Sequence, residues 1–262
     1  MRKVLQKIQF EVHLADHCNL NCQMCDHFSP IANKSFLSPT SYESDLMRLG
    51  DIFDHQATYI RLLGGEPLLH PCVSQFFSIT RTYFPHCPLE LYTNGLLLPI
   101  QLEDFWDACQ TFSVKIMVTK YPVNFDYSAI ENLAQKHRVE LIYTSQKEEP
   151  VKTSWHLPLD VSGGQNPETA FRKCDMGNVC VFLKNGRLYP CTVAPNAVHF
   201  NRYFYQKLEI SDKDSIDIYT AEAREILEFI AQPIPFCKYC NIDSRQENIP
   251  WAISKKDISE WT

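Results

Sequence analysis

No apolar run in this sequence approaches the roughly 20 residues that a membrane-crossing helix needs, and a membrane partner is excluded on that ground. Positive charge is also scarce: 25 Lys and Arg face 31 Asp and Glu, for a formal charge of −6. That balance offers a nucleic acid no basic surface by charge alone. Internal repeats and low-complexity segments are absent. The N-terminus, MRKVLQKIQFEVHL, alternates apolar and polar positions and lacks the continuous apolar core of a signal peptide. A cytoplasmic protein is expected. With 45% hydrophobic and 21% charged residues over 262 positions, the chain can bury a full core.

Cysteine is plentiful instead, at 11 residues. In a cytoplasmic chain this calls for metal chemistry before disulfides. Cys18, Cys22 and Cys25 lie within eight residues, CNLNCQMC, among Asn, Gln and Asp. Three thiolates on one short loop suit three corners of an iron–sulfur cluster and leave one iron open. A zinc site would need a fourth ligand, for which His17, Asp26 and His27 stand nearby. Cys174, Cys180, Cys191, Cys237 and Cys240 form a second set in the last third of the chain. Cys72, Cys87 and Cys109, scattered among apolar neighbours, read as ordinary thiols.

The first half alternates short apolar runs with longer amphipathic ones. Strands are expected at 8–14, 58–63, 88–92, 113–119 and 139–143, with helices at 39–53, 71–84, 100–110 and 126–137. Ser38-Pro39 caps the first helix. Strands separated by helices of this length build a parallel α/β sheet. Residues 144–170, richer in Pro, Gly and charge, read as a linker with a short sixth strand near 155–159. Asn185-Gly186 between apolar runs marks a hairpin. A helix is expected over 215–231.

Cys18-x3-Cys22-x2-Cys25 after the first strand, followed by Gly64-Gly65-Glu66-Pro67 after the second, resembles the radical S-adenosylmethionine (SAM) superfamily. The resemblance covers about residues 8–143. It implies an α/β fold: a partial (β/α)6 TIM-like barrel, within a core domain of residues 1–150 or, at its longest, 1 to about 160. It also implies a [4Fe-4S] cluster on Cys18, Cys22 and Cys25, with SAM chelating the fourth iron and yielding a 5'-deoxyadenosyl radical. Gly64, Gly65 and Glu66 map onto the edge that receives the methionine ammonium. Met24 stands where the family has an aromatic near the adenine, and Thr93-Asn94-Gly95 resembles an element near the ribose and methionine.

Downstream, eleven residues separate Cys174 from Gly186 and four separate Gly186 from Cys191, before Cys237-x2-Cys240. This spacing resembles the twitch appendage, a shortened SPASM domain. The resemblance implies a small β-hairpin and helix domain over 161–262, with an auxiliary [4Fe-4S] cluster on Cys174, Cys191, Cys237 and Cys240. Cys180 is a substitute ligand or a core thiol. Zinc on the same four thiolates is the alternative that the spacing also allows.

The function implied is hydrogen abstraction from, and oxidation of, a small sugar-like or aminocyclitol-like molecule. The electron would come from an external donor such as flavodoxin or ferredoxin. Seven residues before the first strand and 22 after Cys240 leave no room for a peptide-recognition module, which favours a small substrate. Oxidative or epimerising modification of a peptide, activation of a glycyl-radical enzyme, and a zinc-stabilised α/β binding protein are the alternatives. The candidate catalytic residues are His27, Lys120 and His156.

Overall fold

The computed structural model describes residues 7–144 and 152–262. The boundary expected at residue 150, part of the 144–170 linker and the basic residues at positions 1–6 lie outside them. The chain forms two compact units, one of Met1–Ala15 with Phe36–Lys152 and one of Asp16–Ser35 with Thr153–Thr262. Residues 16–35, which the sequence alone assigns to the first domain, therefore group with the C-terminal part.

The first unit is α/β. Its elements are β1 (Ile8–Ala15), α1 (Pro39–Ile52), β2 (Ala57–Gly64), α2 (Val73–Tyr83), β3 (Leu89–Thr93), α3 (Glu103–Thr111), β4 (Val114–Val118), α4 (Tyr127–Lys136) and β5 (Leu141–Tyr143). The strands run β5-β4-β3-β2-β1, every neighbour parallel. Among the described residues they do not close, as befits a partial barrel. Helix starts follow local chemistry: the Ser38 hydroxyl accepts from Ser41 N ahead of Pro39, and Asp126 accepts from Ser128 N. One sheet face is packed with Phe10, Val12, Leu14, Ile60, Leu62, Leu89, Leu91 and Ile116, all buried. The alternate face of the same strands holds Glu11, Arg61 and Glu90 side by side, with Arg61 bonded to both carboxylates at 3.0 Å.

The second unit contains β6 (Thr153–His156), α5 (Pro167–Lys173), β7 (Phe182–Lys184), β8 (Arg187–Tyr189), α6 (Val193–Phe204), β9 (Ile216–Asp217), α7 (Ala223–Ile230) and β10 (Gln246–Pro250). The hairpin β7–β8 turns on Asn185 and Gly186, both at positive φ (52° and 71°), as a tight two-residue turn demands. The sixth strand exists but does not extend the parallel sheet: β6 pairs antiparallel with β10. Only nine residues separate β5 from β6, fewer than the dozen or so that a parallel crossover needs. The helix expected over 215–231 is also shorter. Ile216–Asp217 pairs with β8, Asp217 caps a turn at Tyr219 N, and α7 starts at Ala223 behind a Glu222–Glu225 capping box. Among the described residues no helix is long and apolar enough to cross a membrane.

Gly64 closes β2 against the end of β1. Its φ is +152°, and a Cβ there would lie 2.3 Å from the Ala15 carbonyl oxygen, backbone that cannot swing aside. Gly64→Ala should therefore lose about 1–3 kcal/mol of stability, read as a lower urea midpoint with an unchanged slope.

Candidate functional site

The cysteine loop has no core of its own and is wound tightly, with Met24 and Phe28 in left-handed backbone conformations (φ 59° and 56°). Such turns cost of order 1 kcal/mol each, so neighbouring structure must impose them. Phe28 supplies the anchor: it is 1% exposed and packs against Phe200 and Trp261, at 5.9 and 6.1 Å between ring centroids. The Trp261 indole N–H donates to the Cys25 carbonyl at 2.8 Å. Gln23 N donates to the Ala252 carbonyl at 2.9 Å, and Ser254 N to the Asn21 carbonyl at 2.7 Å, so the loop lies bridged to 252–254. Arg202 donates to the Ile31 carbonyl at 2.6 Å. At the loop's entry Asp16 accepts from the Ser35 hydroxyl at 2.7 Å and lies 3.5 Å from His199.

Within this frame Cys18, Cys22 and Cys25 are all partly buried. Leu20 N donates to Cys18 Sγ at 3.3 Å, and the amides of His27 and Ser29 point to Cys25. Amide donors of this kind stabilise sulfur ligands and tune an iron–sulfur cluster. Burial, with Asp26 and Cys22 close by, still pushes the Cys25 thiol up to about 12. Metal must therefore displace its proton on binding. The donor set, three thiols with amides already directed at two of them, fits a cluster.

In the first unit, the GGEP and TNG loops that follow β2 and β3 are joined through Glu66. Its carboxylate, 1% exposed, accepts from Thr93 Oγ1 at 2.6 Å, Asn94 N at 3.0 Å and Leu68 N at 3.1 Å. Thr93 Oγ1 in turn accepts from Gly95 N, and Asn94 Oδ1 from Leu96 N. Gly65 N donates to the Ala15 carbonyl at 2.8 Å. Glu66 thus clamps the two strand ends together. Burial outweighs the three donors and raises its carboxyl to about 7.

Cys174, Cys191, Cys237 and Cys240 all line one apolar cavity in the second unit. Cys180 is not among its lining residues; it packs beside the same apolar cluster. Burial is the main cause of the raised Cys240 thiol, and Cys191, Cys237 and Cys174 add like-charge pressure on it. Cys191 rises to about 12 although the amides of Ala194 and Val193, at the start of α6, oppose the shift, and burial takes Cys237 to about 11. Four thiols that line one cavity and interact electrostatically are a donor set that fits a metal centre, either a cluster or zinc. Among the described residues, no three His, Cys, Asp or Glu converge to hold a single metal ion.

The candidate catalytic residues fall in different settings. Lys120 Nζ sits 3.8 Å from the Tyr143 ring centroid and 5.6 Å from that of Tyr127, held by cation–π contacts within its own unit. His27 lies 3.8 Å from the Asp26 carboxylate. His156 lines a cavity in the second unit together with Met24, Asp26, Trp155 and Trp261. Asp16, Arg202 and Trp261, which position the cysteine loop, carry no motif in the sequence. Their partners are up to 236 residues away.

No protein-family model matches the chain. It is 31% identical over 97 residues to the GTP 3',8-cyclase of Sulfurovum sp. (strain NBC37-1), covering 37% of this chain and 30% of that protein. The GTP 3',8-cyclase of Nautilia profundicola is 31% identical over 107 residues, 40% of this chain and 34% of that protein. The one from Helicobacter pylori (strain ATCC 700392 / 26695) is 29% identical over 99 residues, 37% and 30%. The chain thus spans about a third of the length of the curated relatives it matches. Among solved structures, BtrN in complex with AdoMet and 2-DOIA is similar with a TM-score of 0.57 at 18% identity, over 92% of this chain and 94% of that one. Native anSMEcpe with bound AdoMet is similar with a TM-score of 0.53 at 13% identity, over 90% of each chain. These likenesses are of fold.

A raised carboxyl at Glu66 sets a pH dependence. The folded state holds this proton above the unfolded value near 4.5, so its contribution to stability is full below that pH and is lost as pH rises through about 7. Metal-free protein should melt at lower temperature at pH 8 than at pH 5.5, and Glu66→Gln should flatten that slope. Glu66→Ala leaves three buried donors unpaired and should cost about 1–3 kcal/mol at either pH.

Proposed function

We infer, for a chain that belongs to the radical SAM superfamily, that it is an enzyme which abstracts hydrogen from a small polar substrate and oxidises it. The observation that carries this reading is the pinned loop of Cys18, Cys22 and Cys25 directly after β1, in a chain whose β2 ends in Gly64-Gly65-Glu66-Pro67. Three cysteines leave one iron of a [4Fe-4S] cluster without a protein ligand, and SAM bound there supplies a 5'-deoxyadenosyl radical on one-electron cleavage. The chain's own part is positioning. Cys18, Cys22 and Cys25 hold the cluster, the Gly64-Gly65-Glu66 edge receives the methionine ammonium, and Thr93 and Asn94 keep that edge in place through Glu66. Met24 contributes an apolar side chain for the adenine.

Cys174, Cys191, Cys237 and Cys240 hold an auxiliary [4Fe-4S] cluster in this reading. Zinc on the same four thiolates is the alternative, and the iron and zinc content of the protein distinguishes the two. Four protein thiolates leave no open iron there, so that cluster would accept an electron instead of binding substrate. An oxidation follows, and the reducing electron for SAM comes from flavodoxin or ferredoxin. The likeness to GTP 3',8-cyclases supports the cofactor chemistry over 97 to 107 residues and leaves the substrate to the rest of the chain. BtrN, solved with AdoMet and 2-DOIA, has a similar fold over nearly its whole length, which is in keeping with a small substrate.

Anaerobically loaded protein should carry about eight irons per chain, falling to about four in Cys237→Ala/Cys240→Ala. Four irons with one zinc in the unaltered chain would assign the second site to zinc. Reduced protein with SAM should release 5'-deoxyadenosine, and Cys22→Ala should release none. An intact cluster that yields no 5'-deoxyadenosine under strong reductant refutes the radical assignment.

A further inference from the structure

One face of the second unit has a charge balance unlike that of the chain as a whole. Residues 27–35 and 176–208 contain no Asp or Glu, although the chain has 31 of them and a formal charge of −6. Folding brings parts of these two segments together. Phe28 packs on Phe200 of α6 at 5.9 Å between ring centroids, and the Arg202 guanidinium donates to the Ile31 carbonyl at 2.6 Å. Val198, Arg202 and Tyr205 recur at helical spacing along the outer side of α6, with Tyr203 beside them, and all four are exposed. Lys207 follows the end of the helix and Lys34 lies three residues beyond Ile31, both exposed. Elsewhere in this unit Lys173, Arg224, Lys238 and Arg245 are each matched by a carboxylate. Arg202 bonds a neutral carbonyl instead.

Tyr205 is the least expected residue of this face. It ends α6 in a left-handed backbone conformation (φ 53°), a position that suits Gly or Asn, and it is 90% exposed. Neither packing nor backbone preference accounts for a tyrosine there. A protruding aromatic and apolar tip flanked by Arg202, Lys207 and Lys34 matches a partner whose apolar prosthetic-group edge is set among carboxylates. The inner side of the same helix holds Phe28, the anchor of the cysteine loop. A partner on the outer side is therefore separated from that anchor by about one helix diameter, roughly 10–12 Å. We propose that this face docks an acidic flavodoxin, which reduces the cluster on Cys18, Cys22 and Cys25. The step moves one electron and nothing else: the flavin hydroquinone anion becomes the neutral semiquinone, and the oxidised cluster gains the electron. The need for a reductant rests on the function proposed above; the acidic, flavin-bearing partner rests on the face.

The test is stopped-flow reduction of the anaerobically loaded protein by flavodoxin hydroquinone, compared with dithionite, which needs no docking face. The second-order rate with flavodoxin should fall about tenfold between roughly 20 and 200 mM salt, and Lys34→Glu/Lys207→Glu should lower it about tenfold at low salt. Tyr205→Gly should lower it severalfold without lowering the melting temperature, because Gly takes the left-handed position without strain. Iron content and dithionite-driven release of 5'-deoxyadenosine should be unchanged in both variants. A flavodoxin rate indifferent to salt or to both variants, reduction through these residues by a ferredoxin but not by flavodoxin, or displacement of flavodoxin by a single-stranded oligonucleotide overturns the proposal. Dithionite with SAM judges the catalytic reading separately. A cluster that flavodoxin reduces through this face, with no 5'-deoxyadenosine from either reductant, removes the radical reading and leaves the docking face standing.

Discussion

Burial of Phe28 is the interaction on which the candidate metal chemistry depends. A loop rich in Asn, Cys, Gln and Asp gains almost nothing by folding on its own, and its left-handed turns at Met24 and Phe28 oppose it further. One phenyl ring wholly withdrawn from water offsets roughly 2–3 kcal/mol of that cost. Bonds from Trp261 and Ser254 to loop carbonyls, and from Gln23 to the 252 carbonyl, then select one conformation among those that bury the ring. The thiols are placed by packing that lies outside the motif.

The same economy governs the other two sets of groups. Glu66 accepts from Thr93, Asn94 and Leu68, so a residue of chemical interest also braces two strand ends. In the second unit, apolar surroundings hold the four cysteines close and keep Cys191, Cys237 and Cys240 protonated near neutral pH. A metal cluster would relieve that arrangement by exchanging protons for iron, which couples its loading to the packing of α5 and the segment around Pro235–Tyr239.

The elements from β1 to β5 were legible because each is a short apolar run followed by an amphipathic one with ordinary caps at Ser38 and Asp126. Asn185-Gly186 was legible because a two-residue turn admits few other sequences. The pairing of β6 was hidden, since its partner β10 begins 90 residues after β6 ends and has no alternating pattern. Helix α6 was hidden too: Pro195 falls in its first turn, where proline is tolerated, but in the sequence it reads as a stop. Of the candidate site, cysteine spacing exposed the donor atoms. The residues that position them, Asp16, Arg202 and Trp261, act over long separations that periodicity cannot report.

The bond from Trp261 to Cys25 also has a consequence for biosynthesis. A ribosome adding about 5–20 residues per second needs roughly 10–50 s to travel the 236 positions between these partners. For most of that interval the three thiols have left the tunnel without the indole that fixes their loop. Iron delivered to the nascent polypeptide would meet a mobile tripod, so productive insertion belongs after translation has passed residue 261. Until then, reducing surroundings or a carrier must guard the thiols from oxidation.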